Sequence, residues 1–473
     1  MAPAILVAVL LLILVMITVM TYFLRHVKKE QDEKDEVGAL TGGEKALQKI
    51  ASSQNLIYTA LILVCVMTVI ALYLTVKGTI WEGHLMEWMN LVVRLMHITF
   101  GIAWIGASFY FVFLENALNR TKDVREELAG NLWAVHGGGF YYLEKYKVAP
   151  KTIPKHLHWF KYEAYFTWIS GFCLLFVVYY FNASAMLIDK NVLNISPLAG
   201  IGIGIGSFII AWIIYDLLCK SPLIKKGYLF TLVGTVIAIA IAYFYSRVFN
   251  SRAAYIHFGA MLGSIMVANV FFVIIPAQKA MVKAAKEGLP LNPQLGKNAG
   301  LRSLHNNYFT LPVLFVMISN HFPSTFGNEH AWIILAVISI GAAGVKHYLN
   351  LREKGQLSIW VMPVSVTVLI AAVIMSAPDK PGECKGTVSF TEVNQIIQVR
   401  CLPCHSAKPT DDFYTAPPNG ITYETPQDIV KLRDKIMQRV VVTKTMPQNN
   451  KTNMTQKERD LIRCWIDQGA SLK

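Results

Sequence analysis

Long apolar runs make up most of this chain and constrain its fold more strongly than any other feature. Ten runs are long enough, or nearly so, to cross the hydrocarbon core of a bilayer, which takes about 20 helical residues. They occupy residues 3–24, 56–77, 89–114, 165–183, 199–218, 229–247, 254–275, 308–322, 330–349 and 359–376. Lipid offers no partner for backbone polar groups, so such segments must be helical. With only 16% of its residues charged, the chain is predicted to be all-α, with a polytopic helical membrane domain over residues 1–376.

The distribution of basic residues predicts how these runs are oriented. Loops after the odd-numbered runs carry more lysine and arginine than loops after the even-numbered runs, and these residues accumulate on the cytoplasmic side. The N-terminus is therefore expected outside, and ten crossings return the C-terminal tail to the outside. The formal net charge of +14 does not indicate nucleic-acid binding, because the basic residues lie in short loops between apolar runs. The expected surroundings are a lipid bilayer.

The tail contains a C-x-x-C-H motif formed by Cys401, Cys404 and His405. In c-type cytochromes the two thiols bond covalently to one haem, and the histidine is an axial ligand of its iron. Because haem c is attached outside the cytoplasm, the motif independently supports the orientation deduced from the basic residues. We predict a tether over residues 377–383 and a small, helical, periplasmic cytochrome c domain over residues 384–473.

The second axial ligand in such a domain is often a methionine. Met446 is the preferred candidate, because Pro447 prevents a helix from continuing through it, whereas Met437 and Met454 fit a helical stretch or its start. An alternative reading of the motif is a structural zinc site or a redox dithiol. A zinc site would need a second Cys/His pair at suitable spacing, and the sequence has none nearby.

Two further features of the tail predict local structure. Residues 390–400 and 455–468 are expected to be helical, the second beginning with a capping box of Thr455 and Glu458. Cys384 and Cys464 flank the haem motif and could form a disulfide outside the cytoplasm, although sequence alone does not bring them within bonding distance.

The long loop over residues 115–164 is predicted to contain a β-hairpin. Residues 132–136 and 140–143 are rich in aromatic and branched side chains and flank three consecutive glycines. Strand-forming residues on either side of a glycine turn are typical of a hairpin.

Ionisable residues inside membrane spans are candidates for function. His97 lies on one face of the third run with Arg94, and His257 and His321 lie near the outer ends of the seventh and eighth runs. Two histidines on facing helices can hold a haem b between them, so these three are candidate ligands. The alternative is that each histidine only hydrogen-bonds a neighbouring helix.

A second polar set is predicted to face the cytoplasm. Arginine and asparagine side chains suit a planar, anionic, hydrogen-bonding ligand. Loop capping and ordinary interfacial polarity are the alternative explanation. The set consists of Glu115, His136, Glu163, Asn269, Arg302, His305, Asn306 and Asn307.

Several long and unusual strings resemble one family, the bacterial membrane-bound urate oxidases with a C-terminal cytochrome c domain. In the membrane domain the matching strings are residues 95–110, 133–141, 157–165, 266–276, 302–308 and 319–321. In the tail, residues 407–410 and 445–447 also match. The resemblance covers roughly residues 85–473. The first span and the charged segment over residues 25–50 lie outside it, and Gln448 departs from the more apolar residue that is usual after the Met-Pro pair.

The resemblance implies an oxidoreductase of the bacterial inner membrane that hydroxylates urate to 5-hydroxyisourate. Electrons would leave through one covalent haem c to a cytochrome or terminal oxidase of the respiratory chain. On this hypothesis Arg302, Asn306 and Asn307 orient the urate anion. Protons would be taken by His136 or His305 together with Glu163. A haem b held by His97 with His257 or His321 would accept the electrons first.

Two kinds of alternative remain at this stage. The urate pocket could lie on the periplasmic side beside Arg94 and His97. The chain could instead be an electron conduit or haem-handling factor without urate turnover, or a transporter or copper-import protein fused to a cytochrome.

Overall fold

The structure is a computed structural model that describes residues 67–68, 71–72, 74–76, 79–150, 152–154, 157–377, 382–384, 386–411, 414 and 416–472. The chain divides into two compact units, residues 1–85 and 86–473. The first predicted span, the charged segment after it, most of the second predicted span and tether residues 378–381 lie outside the described residues.

Helices form most of the described chain before residue 378. The helices are α1 (Ile80–Ala117), α2 (Tyr162–Leu175), α3 (Ala183–Met186), α4 (Pro197–Lys220), α5 (Gly227–Val248), α6 (Ser251–Ala268), α7 (Ile275–Lys286), α8 (Pro293–Ser319), α9 (Pro323–Phe326), α10 (Ala331–Glu353) and α11 (Val361–Met375). A π-helical turn at Phe176–Tyr180 extends α2, and a second one at Asn269–Ile274 joins α6 to α7. A 3₁₀ turn covers Pro222–Lys225.

Six of these described helical segments are long and apolar enough to cross a membrane: α1, α2 with its π turn, α4, α5, the continuous α6–α7 segment and α10. They contain or largely overlap the predicted runs that begin at residues 89, 165, 199, 229, 254 and 330. Helix α11 is apolar but shorter. The run over residues 308–322 forms the second half of α8, whose first half is polar. The prediction of a helical, membrane-type domain is confirmed, and the total of ten crossings stays a prediction.

Helix α6 is the best-buried part of this domain. It packs against α2, α4, α5 and α8, and most of its side chains are buried. Gly259 allows the closest approach, because a Cβ built on it would lie 2.5 Å from Cγ1 of Val316 on α8, whereas Gly263 has no neighbour within 4 Å. A small residue at the contact lets two helix backbones approach closely.

The predicted hairpin is present. Strands β1 (Leu128–His136) and β2 (Gly139–Tyr146) pair antiparallel, with His136 opposite Gly139. The two turn residues, Gly137 and Gly138, have φ values of 56° and 78°. Positive φ at both central residues matches the twist of a two-residue hairpin and strongly favours glycine.

The tail is also helical, as predicted. Its buried apolar cluster includes Val393, Ile397, Ile462 and Trp465. The elements are α12 (Phe390–Arg400), α13 (Leu402–His405), 3₁₀ turns at Pro418–Gly420 and Gln448–Asn450, α14 (Pro426–Lys431), α15 (Arg433–Ile436), a π-helical turn (Met437–Val442) and α16 (Gln456–Asp467).

Two predictions about the ends of this domain are confirmed. Thr455 and Glu458 form the expected capping box at the start of α16, which satisfies backbone N–H groups that have no partner inside the helix. Cys384 and Cys464 form a disulfide, with their Cα atoms 5.5 Å apart. The bridge ties the segment after the tether to the last helix.

The loop over residues 443–449 seats the tail on the membrane domain. The amide of Gln448 donates to the Ala185 carbonyl (2.9 Å), and the amide of Asn449 donates to the Ala185 and Ile188 carbonyls (2.9 and 3.0 Å). The Thr443 carbonyl lies against Gly327, where a Cβ would be 2.4 Å away. The tail therefore contacts the loops that follow the fourth and eighth predicted spans.

Candidate functional site

The C-x-x-C-H motif begins where helix α12 ends. Cys401 and Cys404 are not disulfide-bonded, and the short helix α13 brings His405 back toward the loop at Ile421. Nδ1 of His405 lies 2.9 Å from the Ile421 carbonyl oxygen, which orients the ring, and no hydrogen bond among the described residues reaches Nε2. An imidazole held at one nitrogen and open at the other is the usual arrangement of a metal-ligating histidine.

Burial sets the protonation of this motif. It raises the pKa of the Cys401 thiol to about 12, so the thiol is protonated at neutral pH. Burial also lowers the pKa of His405, partly offset by the bond to the Ile421 carbonyl. A neutral imidazole is the form that ligates iron.

Met446, the predicted second axial ligand, lies in the same domain as the C-x-x-C-H motif. It is partly buried on the same apolar cluster as Cys401, and the guanidinium of Arg459 donates to its carbonyl (2.7 Å). Met454 is 4% exposed in the core, and Met437 begins a π-helical turn. These residues fit a covalent haem c, and the choice of Met446 over the other two stays a prediction.

His97 packs directly on helix α2. Its Nδ1 lies 3.0 Å from the Thr167 carbonyl oxygen and 3.3 Å from Oγ of Ser170. A Cβ on Gly171 would come within 2.8 Å of the ring, so the glycine makes room for the imidazole. No hydrogen bond among the described residues reaches Nε2, and this geometry fits a haem ligand.

His257 has a different environment. It is completely buried, with Nδ1 at 2.8 Å from the Ala253 carbonyl oxygen and Nε2 at 3.0 Å from the Tyr180 hydroxyl. Both ring nitrogens are satisfied, as the helix-to-helix hydrogen-bonding alternative predicts. His321 is exposed, just beyond the end of α8. Of the three candidate haem ligands, the geometry favours His97 and disfavours His257.

Arg302 already has a charge partner inside the protein. Its Nη2 lies 2.6 Å from Oδ1 of Asp216 on α4, and its Nη1 donates to Asn269 (3.3 Å). The guanidinium also stacks over the rings of Trp212 and Tyr215. Asp216, an acidic residue near the end of an apolar run, was not among the predicted site residues. The side chains of Arg302 and Asp216 are 6% and 17% exposed, so their charges compensate each other in a buried setting.

Asn306 and His305 belong to the same internal network. Asn306 accepts from Asn269 (2.8 Å) and donates to the Met266 carbonyl (3.0 Å). Nδ1 of His305 lies 2.7 Å from the Tyr215 hydroxyl. Part of the predicted polar set is thus brought together in space, but these members form their hydrogen bonds with one another and with residues of α4, α6 and α8.

The other predicted site residues lie apart from this network. His136 is exposed at the end of β1. Glu163 begins α2, and its buried Oε2 has no hydrogen bond among the described residues. Asn307 is completely buried and donates to Asn350 on α10 (2.9 Å), while its own Oδ1 has no described partner. No hydrogen bond or ring contact in the described structure joins His136, Glu163 and His305.

A family model covers most of the helical domain described above. The urate oxidase N-terminal model matches residues 83–377, well over half of the chain. The chain belongs to the urate oxidase N-terminal family. This membership indicates urate-related oxidation by an oxidoreductase. The match begins close to the expected start at residue 85 and ends at the predicted tether, so the urate oxidase domain excludes the tail. Neither a curated protein nor a solved structure matches the chain significantly.

Proposed function

We propose that the chain is a membrane-bound urate oxidase that hydroxylates urate to 5-hydroxyisourate and passes the electrons through haem c on its own tail. One observation carries the proposal: a urate oxidase domain is continuous with a tail whose Cys401, Cys404 and His405 are arranged as a haem c site. The loop that bears Met446 rests on the membrane domain. Substrate oxidation and electron exit therefore belong to one molecule.

The reaction balances with water as the oxygen source. Urate and one water give 5-hydroxyisourate, two protons and two electrons, with a new C–O bond at C5. Haem c, when bound, would accept one electron at a time and pass it to a cytochrome or terminal oxidase, so dioxygen need not be the direct oxidant. A tail on the periplasmic side of the inner membrane would place haem c where it can pass electrons to such an acceptor.

The protein must also accept the two protons. Glu163 has an unpaired, buried carboxylate oxygen and is the best-suited base of the three predicted residues, because a carboxylate needs a free lone pair to accept a proton. His305 would first have to release Tyr215, and His136 lies exposed on the hairpin. We therefore propose Glu163 as the general base.

Two arginines support the alternative urate pocket on the periplasmic side. Arg94 donates to Asn90 (2.9 Å) and Arg252 donates to Asn320 (2.9 Å), and neither guanidinium forms an ion pair among the described residues. Two uncompensated cations could receive an anion near the tail. Urate oxidation by right-side-out vesicles that lack a urate transporter would establish this pocket, and activity confined to inside-out vesicles would exclude it.

A spectroscopic experiment tests the proposal itself. Urate is added anaerobically to the purified, oxidised full-length protein, and the reduced α-band of haem c is followed. We expect urate-dependent reduction, with xanthine as the matched control purine. A haem spectrum without any urate-dependent reduction would favour the electron-conduit or haem-handling alternative instead.

A further inference from the structure

A buried lysine in helix α10 has no ion-pair partner within 4 Å among the described residues. Lys346 is 3% exposed, and it forms no ion pair with any described carboxylate. Its Nζ lies 3.8 Å from the centre of the Phe109 ring on α1. A cation–π contact compensates only part of the desolvation of a buried ammonium. Arg302, a buried cation of the same domain, differs in having the Asp216 carboxylate 2.6 Å away.

An amide pair lies on the same face of α10, one turn further on. Asn350 accepts a hydrogen bond from Asn307 of α8 (2.9 Å), and both residues are buried, at 3% and 0% exposure. Asn307 Oδ1 and Asn350 Nδ2 have no partner among the described residues. Exchanging oxygen and nitrogen in both amides would still leave one donor and one acceptor unpaired. Buried polar atoms of this kind call for a ligand or an ordered water.

The nearest acidic residue on the helix acts on Lys346 only at longer range. Glu353 lies seven residues after Lys346, and its Oε2 accepts from Asn116 of α1 (2.9 Å). Seven residues correspond to about 10 Å along a helix. On the other flank, the Tyr308 hydroxyl lies 2.7 Å from Nδ1 of His347. Lys346 and Asn350 lie four residues apart on one face of α10, so one positive charge, one donor and one acceptor are presented near the contacts of α10 with α1 and α8.

We propose that Lys346, Asn307 and Asn350 bind the urate anion, with Phe109 holding the ammonium in place. This inference rests on the function proposed above and names the site where it takes place. Urate is planar, carries one negative charge at neutral pH, and presents alternating C=O and N–H groups along its edges. The ammonium matches the charge, and the free amide atoms match one acceptor and one donor of the ring. Arg302 and Asn306, which the sequence favoured, are satisfied within the protein.

Binding is measured without turnover on the dithionite-reduced, full-length protein, which accepts no electrons from urate. The probe is radiolabelled urate in equilibrium binding. Loss of a hydrogen bond to a charged group weakens binding by about 10- to 100-fold, so Lys346→Met should raise the Kd by that factor. Lys346→Arg should retain most of the affinity. Lys354→Met, the same change at an exposed position just after α10, is the matched control and should bind as the unchanged protein does.

Thermal unfolding separates a binding role from a structural one. Without urate, Lys346→Met should unfold at the same or a higher temperature, because it removes an unpaired buried charge. The stabilisation by urate should disappear. A lower unfolding temperature together with an unchanged Kd would overturn the proposal. Asn350→Asp is the second variant: a carboxylate beside the ammonium should compete with urate and raise the Kd, even if Lys346→Met does not fold.

The outcomes distinguish this site from the proposed function. If the unchanged protein neither binds urate nor reduces its haem c with it, the function itself fails. If the protein oxidises urate while Lys346→Met and Asn350→Asp both bind it normally, only the site is wrong. Weak binding by Arg94→Gln with normal binding by both α8–α10 variants would also reject the site and place it near the periplasmic arginines.

Discussion

Replacing Arg302 tests whether its guanidinium belongs to the structure or to substrate binding. In Arg302→Met the Asp216 carboxylate loses its partner at 2.6 Å and the domain loses a bond to Asn269. Breaking a buried ion pair from one side typically costs about 3–5 kcal/mol. Asp216 keeps a second partner, Lys220, at 2.6 Å. We therefore expect the free energy of unfolding to fall by about 3 kcal/mol, the lower end of that range.

A double-mutant cycle makes this prediction quantitative. Replacing both charges by apolar residues of similar volume is often neutral or stabilising, so Arg302→Met with Asp216→Leu should recover most of the lost stability. The coupling free energy should be about 1–3 kcal/mol, as for residues in direct contact. The assay is chemical unfolding of the detergent-solubilised protein, followed by tryptophan fluorescence, with exposed Lys354→Met as the control.

Kinetics decide the functional half of the question. If Arg302 is structural, the double variant should oxidise urate with a KM within about twofold of the original value, a free-energy difference well under 1 kcal/mol. The reasoning would be refuted by an Arg302→Met variant of unchanged stability whose KM for urate rises more than about tenfold, which corresponds to 1.4 kcal/mol. In that case Arg302 would contact the substrate as the sequence predicted.

Three further predictions concern other parts of the chain. His97→Ala should remove non-covalent haem and leave haem c intact in a pyridine haemochrome measurement; full occupancy of non-covalent haem in that variant would show that His97 is not the ligand. Gly259→Ala should destabilise the protein by about 1–3 kcal/mol through overpacking, while Gly263→Ala, with open space around it, should stabilise it by up to about 1 kcal/mol; equal unfolding temperatures for the two would contradict the described α6–α8 contact. Burial raises the pKa of Glu458, but the hydrogen bonds from Thr455 and Arg400 together lower it below its ordinary value of 4.5. The ionised carboxylate therefore contributes to folding stability above pH 4.5, and this contribution is lost as the pH falls through the lowered pKa. Glu458→Gln should therefore cost about 1 kcal/mol at pH 7 and progressively less in acid by thermal unfolding of the full chain, and a penalty that does not change with pH would reject this account.

The proposed urate site and the open histidine lie along one helix. Phe109 and His97 are both on α1, twelve residues apart, which is about 18 Å along the axis. His97 is on the side of the predicted outer end, toward which the tail is expected to lie. A haem b at His97 would therefore stand between a urate site in the cytoplasmic half and haem c outside. This path is part of the proposal, and the His97→Ala measurement bears on it directly.

Interactions within a few residues were predictable from the sequence. The capping box of Thr455 and Glu458, the glycine turn at residues 137–138 and the helix before Cys401 all depend on neighbours along the chain. The helical character of the apolar runs was also predictable, because lipid excludes other backbone conformations. Family membership agrees with the resemblance, since it too is carried by local strings of residues.

Interactions between residues on different helices could not be predicted from the sequence. Arg302 and Asp216 are 86 residues apart, and Asn307 and Asn350 are 43 residues apart. Apolar periodicity identifies a helix but does not state which helix it faces or in which register. The sequence could therefore name Arg302 as a cation in a membrane domain without showing that it is neutralised.

The sequence by itself determined the apolar helices, the C-x-x-C-H motif and the local strings of residues that carry the family resemblance. What only the tertiary structure decided is which polar groups are already satisfied. Arg302 and His257 have close partners in other residues, whereas within the described residues Lys346 forms no ion pair and the Asn307–Asn350 pair keeps one unpaired donor and one unpaired acceptor. The physical reason is that the cost of a buried polar group depends on its partners, and those partners come from distant parts of the chain brought together by helix packing.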